Sequence, residues 1–150
     1  RRYPFLSLPC GRYTVVSVPG HAFITDAGYY MNLPDLDFIP GAAVMTRVIS
    51  HPAKGVFTTD LGYKAIASDP AGQRGYIVGL EDAVPIIHSE EHWAFRLEDE
   101  SRIPAIGSCL YVVPTHICPT TALYPEILVA KDGQVADRWQ VTARNRRITY

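Results

Sequence analysis

Three short stretches of the chain carry side chains whose types and spacing could do chemistry. The sharpest is Pro114-Thr115-His116-Ile117-Cys118-Pro119-Thr120, which follows an apolar run over Cys109–Val113. If that run is a strand and continues, positions i and i+2 point to one face, so His116 and Cys118 would project together. An imidazole beside a thiolate suits a borderline-soft ion such as Zn²⁺. Two protein ligands are too few for a closed structural site, but they fit an open one completed by water and substrate. The plainer alternative is a Cys packed as a small hydrophobe next to an unrelated His. The second stretch is Ser89-Glu90-Glu91-His92. Glu91 and His92 could supply acid–base chemistry, or a partner that orients a metal-bound imidazole; the alternative is a solvated turn before a strand. The third is Asp60-Leu61-Gly62-Tyr63-Lys64, followed by Ser68-Asp69. Asp60 and Lys64 could pair, and a surface ion pair of small energetic weight is the expected role of Lys64. A Schiff-base role would need burial to lower its pKa. Pairing of Cys118 with His92 as a hydrolase nucleophile and base is a more remote option. His116, two residues from the thiol, favours joint ligation instead. No phosphate-binding glycine loop and no nucleophile-elbow pattern occurs.

These groups must be positioned by short elements. Val-, Ile-, Thr- and aromatic-rich runs are broken every eight to twelve residues by Gly, Pro or Asp. Strands are expected over Tyr13–Val18, His21–Thr25, Val44–Ser50, Val56–Thr59, Tyr76–Leu80, Val84–Ile87, His92–Leu97, Cys109–Val113, Ile127–Lys131 and Val135–Thr142. Asp132-Gly133 tolerates positive φ at both turn positions and is the strongest hairpin signal. Alternation in the last strand sets Val135, Asp137, Trp139 and Val141 on one side. No window sustains a 3.6-residue period; short helical turns are expected only near Ala42–Val44 or Lys64–Ser68. Leu33–Pro40 reads as a loop. The expected fold is an all-β single domain over residues 1–150, a barrel or barrel-like sandwich, because closure removes strand edges.

The chain has 150 residues, 47% of them apolar, with 14 Lys+Arg against 15 Asp+Glu and a net charge of −1. That supports a folded core and argues against disorder. It offers no basic excess for nucleic acid and no apolar run long enough to span a membrane. The basic tail Arg144-Asn145-Arg146-Arg147 is expected to be a solvated end or a contact for an acidic surface. Three cysteines do not make a disulfide scaffold, and with no signal peptide visible they point to the cytoplasm. The first residue is Arg1 rather than Met, which suggests a piece of something longer.

In order along the chain, His21-Ala22-Phe23-Ile24-Thr25-Asp26-Ala27-Gly28-Tyr29, the Asp60–Asp69 stretch, Ser89-Glu90-Glu91-His92 and Pro114–Thr120 resemble the C-terminal β-domain of the D-threonine aldolase / D-serine dehydratase family. These are pyridoxal-phosphate enzymes related in fold to alanine racemase. Asp132-Gly133, Trp139 and Ala143-Arg144 resemble the family's closing hairpin, so the similarity runs from about residue 21 to about 147. Ala67 stands where many members have Ser. The resemblance implies that His116 and Cys118 are metal ligands. Family aldolases often have Asp at the second position and use Mn²⁺, whereas dehydratases have Cys and use Zn²⁺. Cys118 therefore favours Zn²⁺, with Mn²⁺ as the second choice. The implied whole enzyme cleaves D-β-hydroxy amino acids to glycine and an aldehyde. A D-serine or D-3-hydroxyaspartate dehydratase is the alternative, and a non-catalytic metal- or partner-binding barrel is the rival from another class. In the family, pyridoxal phosphate sits on a lysine of an N-terminal (β/α)₈ barrel, supplied in cis or by a partner subunit, with a homodimer as the expected assembly. No residue here matches that lysine, and Lys64 belongs to a different motif. The chain alone is expected to bind metal weakly and to catalyse nothing. Glu91 and His92 are the weaker candidates, for acid–base or supporting roles.

Overall fold

The structure, a computed structural model, describes residues 8–10, 13–15, 24–35, 38–69, 71–145 and 147. Ten strands and two short α-helices follow in the order β1 (Leu8–Cys10), β2 (Tyr13–Val15), α1 (Ala27–Asn32), β3 (Val44–Ala53), β4 (Val56–Thr59), β5 (Gly75–Ile77), β6 (Val84–His88), β7 (Trp93–Arg96), β8 (Cys109–Pro114), α2 (Ile117–Thr121), β9 (Glu126–Lys131) and β10 (Gln134–Gln140). The all-β expectation holds: the main element is a curled, half-barrel sheet. It has six strands in the order β5-β8-β3-β4-β7-β6, and every pairing is antiparallel. Register shifts between β3 and β4 and between β6 and β7 help it curl, since an extra residue on one strand bends it and increases its twist.

One face of the sheet packs the core. Val48, Phe57, Leu61, Ile66, Ile77, Trp93, Phe95, Leu97 and Val112 are nearly inaccessible to solvent. Phe57 and Phe95 lie opposite each other in register and stack at 5.5 Å, and Trp93 packs on Phe95 at 4.6 Å. Aromatic pairs at these separations add to the area they bury. On β3 the alternation is clean: Thr46 and Val48 face in, while Met45, Arg47 and Ile49 face out.

The strand expectations from Val44 onward are matched to within a few residues. Residues 21–23 of the expected His21–Thr25 strand lie outside the described residues, and Thr25 makes an isolated parallel bridge to Pro40. The helical expectations need correction. Ala42–Val44 is not helical, a single helical turn does form where one was expected, with the Ala65 and Ile66 N–H groups both donating to the Gly62 carbonyl, and the α-helices fall at Ala27–Asn32 and Ile117–Thr121. The predicted Asp-Gly turn is present, with φ of 52° at Asp132 and 75° at Gly133. The face assignment on β10 is corrected by a bulge. Val135 pairs with Ala130 but Asp137 pairs with Val129, so the intervening Ala136 breaks the alternation. Val135 thus falls on the side of Arg138 and Gln140, opposite Asp137 and Trp139. In keeping with this, Arg138 and Gln140 both reach Glu126, while Trp139 donates to Asp137.

Candidate metal centre

The segment that carries His116 and Cys118 is not extended. Strand β8 ends at Pro114, His116 is the N-cap of α2 with extended φ/ψ, and Cys118 is the second residue of the helix. The side-by-side projection expected from strand geometry is therefore replaced by a strand–turn–helix corner. Pro119 does not break the helix because backbone N–H groups of a first turn have no intrahelical acceptor to lose.

The backbone of this corner is tied down from several directions. The Thr115 N–H donates to the Arg74 carbonyl at 2.9 Å and its hydroxyl donates to the Gln73 carbonyl at 2.7 Å. The Thr115 carbonyl accepts from Gly28 N–H at 3.2 Å. The Ile117 N–H, which lies between the two candidate ligands, donates to Asp26 Oδ2 at 2.9 Å. Asp26 is 1% exposed, and its other oxygen accepts from Tyr29 N–H at 3.0 Å as the N-cap of α1. One buried carboxylate thus secures the starts of both helices. Within α2, Thr120 and Thr121 donate to the carbonyls of His116 and Ile117. Ile117 and Thr120 are buried, yet the Cys118 thiol is free and exposed and the His116 side chain is 37% exposed. The two donors stand at the surface on a fixed backbone. His116 Nδ1 lies 3.5 Å from Asp69 Oδ2.

The other two motifs are docked to each other. The N–H groups of Tyr63 and Lys64 donate to the carbonyls of Ser89 and Glu90 at 2.9 and 3.1 Å. Gly62 lies directly on the Glu90–Glu91 peptide, so close that any Cβ there would collide with backbone. Lys64 Nζ contacts Glu91 at 2.7 Å and Glu90 at 2.9 Å. Those bonds, to Glu91 first and then Glu90, hold its pKa well above the ordinary lysine value, the opposite of what Schiff-base chemistry needs. The expected Asp60–Lys64 pair is therefore replaced. Asp60 instead accepts from the Thr46 hydroxyl at 2.6 Å and the Arg47 N–H at 2.8 Å. Behind this junction His88, which the sequence did not single out, packs against Trp93 at 4.5 Å and Tyr63 at 5.9 Å. Neither of its ring nitrogens has a hydrogen-bond partner among the described residues.

His116 meets Asp69 at one corner, with Cys118 two residues further on in α2, while Glu91 is engaged by Lys64 and His92 is exposed at the other junction. Among the described residues no group of three or more His, Cys, Asp and Glu side chains converges as a ligand set. The two donors that are present, an imidazole and a thiol, suit Zn²⁺ in a site finished by other groups. Asp26 and Asp69 went unassigned in the sequence because their partners are distant along the chain.

The mostly β fold with its curled, half-barrel sheet is shared with alanine racemase-like proteins. The family described as "Putative serine dehydratase domain" matches residues 41–130, and the chain belongs to it. A D-threonine aldolase of Arthrobacter sp is 32% identical over 139 residues, which are 89% of this chain but 35% of that protein. An uncharacterised Mycobacterium tuberculosis protein is 31% identical over 115 residues, covering 75% of this chain and 86% of its own length. The crystal structure of D-threonine aldolase from Filomicrobium marinum superposes with a TM-score of 0.73 at 26% identity, over 81% of this chain and 34% of that one. D-threo-3-hydroxyaspartate dehydratase from Delftia sp. HT23 matches with a TM-score of 0.53 at 27% identity, over 65% of this chain and 31% of that one. The chain thus spans about a third of the length of the aldolases and dehydratases it matches. No helix among the described residues is long and apolar enough to cross a membrane.

Proposed function

We propose that this chain is the metal-bearing β-domain of a pyridoxal-phosphate-dependent lyase acting on D-β-hydroxy amino acids, with His116 and Cys118 as the protein ligands. The observation that carries the proposal is the contrast at the α2 corner: a backbone bonded on all sides presents an exposed thiol and a half-exposed imidazole. A divalent ion held there supplies Lewis acidity toward a substrate hydroxyl. Pyridoxal phosphate would be bound by a separate barrel domain. In this chain, His116 and Cys118 bind and orient the ion, and Asp26 keeps their spacing. Glu91 and His92 stand at the Lys64 junction, where Glu91 is bonded to Lys64.

Cleavage to glycine and an aldehyde is the leading reaction, given the aldolases among the relatives. Dehydration of D-serine or D-3-hydroxyaspartate is the second reading. It is favoured by the softer thiol at position 118. Metal content measured on the purified chain, and on variants lacking one or both donors, tests the assignment. Weak binding of up to one Zn²⁺ per chain is expected when the ion is titrated in, weakened further by either single substitution and lost in His116→Ala/Cys118→Ala. Bound metal that does not change in the double variant would sink the reading. Assay of the chain joined to a pyridoxal-phosphate barrel with D-threonine and D-serine then separates aldol cleavage from dehydration.

A further inference from the structure

The metal reading leaves open which ring nitrogen of His116 faces the ion and what holds the ring. We propose that Asp69 is the positioning residue for His116. Its carboxylate, which faces Nδ1, favours the tautomer with the proton on Nδ1 and so leaves the Nε2 lone pair for the metal. The inference rests on the assignment of His116 as a ligand.

Three observations support it. The carboxylate meets the ring at Nδ1, 3.5 Å away. The segment that carries Asp69 is bonded to the ligand helix itself: the Ala67 N–H, two residues before, donates to the Thr120 hydroxyl at 3.2 Å, and that hydroxyl donates in turn to the His116 carbonyl at 2.8 Å. The same segment is held a second time by the Tyr124 hydroxyl, which donates to the Ala65 carbonyl at 2.7 Å. Ile66 and Ala67 are buried, so the two ends of the Asp69–His116 contact are parts of one packed unit. A neutral imidazole has one N–H and one lone pair, and the partner of the N–H decides which nitrogen keeps the lone pair. Carboxylates that orient metal-bound imidazoles in this way fix the tautomer and raise ligand basicity.

The test reads the ring directly. Two-dimensional ¹⁵N–¹H spectra of the metal-free full chain at pH 8 report the His116 tautomer. The Nδ1–H form is expected in the wild type, with a shift toward Nε2–H in Asp69→Ala. Zinc titration of the same samples is expected to show affinity reduced roughly 10- to 100-fold in Asp69→Ala, with partial recovery in Asp69→Asn, whose amide oxygen can still accept. Asp69 is exposed, so unchanged amide spectra away from the corner are expected and separate a local effect from misfolding. A wild-type ring already in the Nε2–H form, or a tautomer and zinc affinity both unmoved by Asp69→Ala, overturns the proposal. A tautomer that shifts as expected in a chain that binds no zinc overturns the metal reading instead and leaves the pairing standing.

Discussion

A thiolate at position 118 and a carboxylate there would select different ions, because soft sulfur favours Zn²⁺ while hard oxygen suits Mn²⁺. Cys118→Asp is therefore expected to lower the preference for Zn²⁺ over Mn²⁺, read by competitive titration of the two ions. An unchanged preference would remove the thiol from the ligand set. At the other junction the decisive residue has no side chain. Gly62 rests on the Glu90–Glu91 peptide, and a methyl group would meet backbone that cannot swing aside. Gly62→Ala is expected to cost about 3 kcal/mol in urea unfolding, the upper part of the range for overpacking. Substituting Lys64 in the same stretch should change stability little, because its ion pairs are solvent-exposed. The residue types that could do chemistry were legible in the sequence, but their pairings were not. Lys64 reaches Glu90 and Glu91 rather than Asp60, and Asp69 meets His116, through approaches that only the folded sheet creates.

Strands were the legible elements, because β-branched and aromatic runs between turn residues state both the pleat and its ends. Their faces were less so, as the bulge on β10 shows. The two helices were missed for a physical reason. Six residues in α1 and five in α2 are too few to display a helical period. Elements that short are held by capping and packing rather than by propensity. The cap they share is Asp26, whose two oxygens accept from Tyr29 and Ile117. Asp26→Ala strips a partner from a buried N–H and is expected to cost about 2 kcal/mol, measured by denaturant unfolding. It should also speed hydrogen exchange at the Ile117 amide selectively. An Ile117 amide that exchanges at the wild-type rate would show that Asp26 does not hold the corner.

At the scale of the whole molecule, the titration of His88 ties stability to pH. Burial, aided by the charge of Arg74, holds its imidazole below the usual value of 6.5. As pH falls, the unfolded chain takes up this proton before the folded one does. The stabilising contribution is therefore complete above about pH 6.5 and drains away as pH drops toward the lower folded-state value. Urea midpoints at pH 7.5 and pH 5.5 are expected to differ more for the wild type than for His88→Phe, which keeps a ring against Trp93. Equal differences in the two proteins would show that His88 does not set this dependence. The reach of Asp26 has a practical corollary for anyone choosing where to cut the gene. Residues 41–130 match the family, and they contain both candidate ligands and the whole six-stranded sheet. A clone trimmed to that match would nevertheless discard Asp26, and would keep the ligands while losing the clasp that sets them.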